Sequence, residues 1–219
     1  MKASLTGLLF FLAVFTYAQD QDFQSDYLHA KSLFNEKRYR NAHDAFKKLL
    51  DNPNPFQEHA LFYAGMSVAN AKNYDLAKNY FLQLVEKHPG WHNIDEVYYW
   101  LGLSYFELEK YFSALFRLNQ ISDPEFATDV EKLKLKYLGG LEDRTLLKDL
   151  LSQNPEDRTV AKILADYIAN QPLNKRDLSE LESLISIFDL DANEYKIVEK
   201  AGSELKDKYH IAFLLPFRL

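Results

Sequence analysis

The chain has 219 residues, 47% of them hydrophobic and 15% aromatic, which is ample to build a buried core in one domain or a domain with a short appendage. Thirty-two acidic against 26 basic side chains give a formal charge of −6 with neither sign gathered into a block, and this argues against nucleic acid as a partner. The absence of cysteine rules out a disulfide framework and a lipid-modified cysteine, so stability has to come from packing.

Residues 1–18 follow the order of a secretory signal peptide: Lys2, a nearly unbroken apolar run over 5–15, and a small residue, Ala18, at the expected cleavage point. The run is short of the roughly 20 apolar residues a membrane span needs, and no later segment is a candidate. The mature protein is therefore expected to begin at Gln19 and not to be an integral membrane protein. Export with no cysteine and a mildly acidic composition suits a periplasm; a secreted product would have the same composition.

Over 19–124 a short signature recurs three times, each copy reading as a helix pair. Tyr39, Tyr74 and Tyr111 recur at intervals of 35 and 37 residues. Each is followed at +3 by Ala42, Ala77 or Ala114, and at +7 by Phe46, Phe81 or Leu118. A small residue, Ala30, Gly65 or Gly102, stands nine positions before each tyrosine, and polar breaks at 35–38, 70–73 and 107–110 separate the two helices. The small side chains let paired helices approach closely. Each pair then leaves an apolar face that only a neighbouring pair can cover, so the pairs must stack into a solenoid with a concave wall.

This signature resembles the tetratricopeptide repeat, whose period is about 34 residues. The first copy departs from it in carrying Ala30 in place of glycine. The resemblance implies an all-α fold, a solenoid of helical hairpins, that works by holding a protein or peptide partner and not by catalysis. Its inner wall, mapped onto the copies, comprises Tyr27, Lys31 and Phe34, then Phe62 and Met66, then Tyr99, Leu103 and Phe106. Aromatic and methionine side chains suit adaptable contact with an extended or helical peptide, although aromatics of this kind also serve as core. The family's clamp for terminal carboxylates needs lysine, asparagine and arginine on that wall. Here Tyr27 and Lys31 occupy the first pair of positions and Glu96 and Trp100 the last, which argues against capture of a chaperone tail.

Past Pro124 the signature fades but helical periodicity continues over 125–205 as a degenerate repeat and further helices. Helices are expected over 129–138, closed by Gly139-Gly140, over 144–151, ended by Asn154-Pro155, and over 159–168 and 178–187. Residues 191–205 read as a final helix or a linker. The tail over 206–219 differs in kind, because Ile211, Phe213, Leu214 and Leu215 form a short apolar run ended by Pro216 that reads as a buried strand. With no second strand expected, it borrows a sheet edge, opens a further domain, or packs along the last helices. Residues 208–217 resemble the first strand of type I periplasmic substrate-binding domains. Helical repeats followed by such a domain are similar to transporter substrate-binding proteins and to activators of peptidoglycan synthases, which would make these residues the amino-terminal part of a longer protein.

Chemistry is hard to find. Six histidines lack a zinc spacing, and Pro89-Gly90 breaks any helix that would join His88 to His92. No phosphate loop, nucleophile elbow or paired catalytic carboxylate is present, so neither a metal nor another cofactor is expected.

Overall fold

The computed structural model describes residues 22–195, and all regular structure among them is helical. The expected signal peptide and strand-like tail lie outside the described residues. Two compact units divide at Phe126 and Ala127. The first holds α1 (22–35), α2 (Tyr39–Leu49), α3 (Gln57–Asn70), α4 (Tyr74–Lys87), α5 (Ile94–Glu107) and α6 (Tyr111–Leu118). The second holds α7 (Ala127–Leu138), α8 (Arg144–Gln153), α9 (Arg158–Ala169) and α10 (Leu178–Ile187).

In the first unit α2 packs on α3, α3 on α4, α4 on α5 and α5 on α6, the order expected of stacked hairpins. The small residues hold the interior: Ala30, Ala42, Ala77 and Ala114 are fully buried, and Gly65 and Gly102 are buried. Their role is close approach within a pair. A Cβ at Gly65 would lie 2.7 Å from the Phe81 ring, and one at Gly102 would lie 2.5 Å from Leu118, in each case the large residue of the paired helix. Phe81 also reaches beyond its own pair to stack on Trp100, with ring centroids 6.4 Å apart.

The turn inside each pair repeats in detail. Lys37, Lys72 and Glu109 take left-handed φ values of 60°, 62° and 57°. The following residue closes the helix with a bond five residues back: Arg38 N–H to Leu33, Asn73 N–H to Val68 and Lys110 N–H to Tyr105. This Schellman closure satisfies carbonyls that a helix end otherwise leaves open. Sequence reading placed polar breaks here; the structure adds that each contains one strained non-glycine residue.

In the second unit α7, α8 and α10 all pack on α9, whose Val160, Ala161, Ile163, Leu164, Ala165 and Ile168 are buried. Asp143, Asp157 and Asp177 cap α8, α9 and α10 by accepting from the N–H groups of Leu146, Val160 and Glu180. Asp157 does more, because it also accepts from buried Lys134 Nζ at 2.6 Å and so ties α7 to the start of α9. Arg144 on α8 reaches Asp177 at 2.7 Å and also Glu180, joining α8 to α10. Gly139 ends α7 where only glycine fits, since a Cβ there would meet the Leu135 carbonyl oxygen at 2.6 Å.

Among the described residues no helix is long and apolar enough to cross a membrane.

Candidate functional site

The first helices of the three pairs leave a common stripe open. Numbered from the small residue of each copy, four positions open in all three are −6, −2, +1 and +5, a 4-3-4 spacing that falls on one side of a helix. In α1 these are Gln24, Leu28, Lys31 and Asn35; in α3 they are His59, Tyr63, Met66 and Asn70. In α5 they are Glu96, Trp100, Leu103 and Glu107, and none of the twelve is buried.

Contacts between helices show that the stripe is one surface. Lys31 of α1 sets its ammonium 3.2 Å from the Tyr63 ring centroid of α3, a close cation–π contact. Phe34 meets the same Tyr63 ring edge-on at 5.2 Å, and Tyr63 stacks on buried Phe46 at 5.5 Å. Lys31 is also near enough to both His59 and Glu96 to bias their protonation, so its field spans from α1 past α3 to α5.

Electrostatics along the stripe are set by partial burial. Burial pushes the Glu96 carboxyl above its usual range, opposed by a hydrogen bond from the Trp100 indole and by the charge of Lys31. Burial also holds His59 below its usual value, helped by His92 and Lys31 and opposed by Glu58. The His59 ring sits 6.0 Å from Tyr27, 5.5 Å from Trp91 and 5.9 Å from His92, and its Nδ1 is buried without a hydrogen-bond partner. Tyr27 is pushed up to about 12 by burial and by Tyr63. Among the described residues no three histidine, aspartate or glutamate side chains are grouped to hold a metal ion. His88 and His92 lie in the α4–α5 loop, where His88 pairs with Glu58 at 3.1 Å.

Of the residues expected on the inner wall, Lys31, Met66 and Leu103 lie on the stripe itself. Tyr27, Phe34 and Tyr99 are half-buried beside it: Tyr27 stacks on Phe56 at 4.9 Å, and Tyr99 packs edge-on to Trp100 at 6.3 Å. Phe62 and Phe106 must be reassigned to the core, at 2% and 1% exposure. Phe62 packs against Trp91 at 5.3 Å and Phe81 at 6.1 Å, and Phe106 against Tyr111 at 6.4 Å. The reason is angular. At about 100° per residue, positions −3 and +4 lie roughly 80° round the helix from the stripe, toward the packed side.

Sequence reading did not single out His59 or Tyr63, which lie on the open stripe, and met Glu96 and Trp100 only as departures from the carboxylate clamp. The sequence signal was partial: a large side chain recurs at −2 as Leu28, Tyr63 and Trp100, but positions −6 and +1 share no residue type across the three helices.

A comparison with protein families matches residues 59–90 to the tetratricopeptide repeat. This span runs from the third residue of α3 through α4 into the following loop. A comparison with curated proteins finds no match. The second helix pair is thus similar to a tetratricopeptide repeat, and the pairs on either side carry the same small-residue register, the same Schellman closure and the same open stripe.

Proposed function

We propose that the chain is an exported interaction module that docks a peptide segment of a partner protein along the open stripe of α1, α3 and α5, and that it has no catalytic role. The observation that carries this reading is the stripe's composition and continuity. The first helices of three consecutive pairs share four open positions, and those positions hold Tyr63, Met66, Trp100 and Leu103 with one cation and one half-buried acid between them. Side chains of this kind supply rigid apolar contact with a few orienting polar groups, the make-up of a peptide wall. The tetratricopeptide similarity of α3 and α4 supports the same class of function. Export, to a periplasm in particular, is supported by the apolar run over 5–15 followed by Ala18 and by the lack of cysteine.

The test is site-specific photo-cross-linking in cells, with a benzophenone side chain placed at Met66, at Leu103 and, as a control, at exposed Phe116 on α6. The reading expects a discrete adduct from the first two positions and none from the third. It also expects Met66→Glu with Leu103→Glu to remove the adduct partner from purified material without lowering the melting temperature by more than a few degrees. Adducts from Phe116 alone, or partner retention by the charged variant, would overturn it.

A further inference from the structure

We infer that Glu96 and Trp100 form a subsite for a basic side chain, so that the docked segment is one carrying arginine or lysine among apolar residues. This rests on the stripe being a docking wall and names the chemistry that the wall selects.

The three formal charges on the stripe, Lys31, Glu96 and Glu107, are not equivalent. Lys31 already places its ammonium against the Tyr63 ring at 3.2 Å, an arrangement that satisfies a cation without a carboxylate. Glu96 has no ion pair within 4.0 Å among the described residues, and the side chain one turn on from it in α5 is the neutral Trp100 indole. Half-burial makes the charged carboxylate uncomfortable there, and the influence of Lys31 does not restore it to the usual range. A cation delivered by a ligand would supply what the fold withholds.

The neighbouring groups fit a guanidinium better than another anion. Trp100 is half-buried, with Phe81 stacked on it and Tyr99 edge-on at 6.3 Å, so its position is fixed and part of it stays open beside the carboxylate. A carboxylate next to an indole offers an arginine both a paired acceptor and a stacking surface. The second acid of this helix face, Glu107, accepts from the Tyr74 hydroxyl. Steering favours the same partner, because the whole chain carries −6.

The experiment is a selection of short randomised peptides displayed on phage against the full chain, run in parallel on wild type, Glu96→Gln, Glu96→Lys and Met66→Glu. Circular dichroism melts first establish that each variant is folded. Wild type is expected to enrich arginine and lysine, and the strongest wild-type peptide should lose about tenfold in affinity with Glu96→Gln, a change near 1.4 kcal/mol. Glu96→Lys should turn the preference toward aspartate and glutamate. A wild-type pool rich in acidic residues, or basic enrichment that persists in Glu96→Gln, overturns the subsite while leaving the docking wall intact as long as Met66→Glu abolishes binding. A wild-type pool no different from the Met66→Glu pool overturns both readings.

Discussion

Replacing Gly65 by alanine is the sharpest probe of why these helices pair. The added methyl would sit 2.7 Å from Phe81 Cε1, 3.0 Å from Cζ and 3.1 Å from Cδ1, all well inside ordinary contact. The ring has nowhere to retreat: Phe81 is fully buried, with Phe62 at 6.1 Å and Trp100 at 6.4 Å. Overpacking of this sort costs about 1–3 kcal/mol. Alanine is favoured over glycine in a helix by about 1 kcal/mol, so the net loss expected for Gly65→Ala is about 0–2 kcal/mol. Urea denaturation followed by circular dichroism measures it. Shortening the opposing side chain should rescue it, with the double variant Gly65→Ala/Phe81→Leu showing a coupling of at least about 1 kcal/mol relative to the singles. Gly90→Ala is the control, because nothing lies within 4 Å of a Cβ there, and its effect should stay within about 0.5 kcal/mol. If Gly65→Ala proved stabilising by the full helix-propensity gain, the close-approach argument would be wrong for all three pairs.

Three further predictions concern other parts of the fold. Lys72→Gly relieves a left-handed residue at φ 62°, trading about 1–2 kcal/mol of strain for about 0.5–1 kcal/mol of chain entropy; a melting temperature raised by a few degrees is expected, and a lowered one would contradict the reading. Asp157→Ala removes both the α9 cap and the carboxylate facing buried Lys134 at 2.6 Å, and should destabilise the second unit by about 3–5 kcal/mol in urea titration, whereas Asp157→Asn, which keeps the cap, should cost less. His59 is held below its usual value near 6.5, so the folded state resists its protonation. Its contribution to stability is complete above the unfolded value and is lost as pH falls below about 6.5 toward the folded one. Melting temperature should drop more between pH 7 and pH 5 in wild type than in His59→Gln; parallel profiles would show that His59 is not the group responsible.

The helix pairs were legible because their causes are local. Ala30, Gly65 and Gly102 are small for one reason, and Phe46, Phe81 and Leu118 are large for the complementary one, so position and residue type agree. The wall was less legible, because an aromatic residue reads the same whether it fills a core or lines a surface. Tyr63 and Phe62 are adjacent in the chain, yet Tyr63 holds Lys31 at the surface while Phe62 is sealed under Trp91. Trp91 itself comes from the loop after Pro89, where sequence reading saw only a helix break and not a core residue 9% exposed. Nor could periodicity show that α9 gathers α7, α8 and α10 around it, since that depends on contacts such as Lys134 with Asp157 between residues far apart in sequence.

The docking wall is tested most directly by amide hydrogen exchange of the full chain with and without a wild-type-selected peptide at saturating concentration. Protection should rise in α1, α3 and α5, most strongly around Tyr63 to Met66 and Glu96 to Leu103, with α2, α4 and α6 little changed. Protection confined to the second helices of the pairs, or spread over α7 to α10 with the stripe unaffected, would contradict the account.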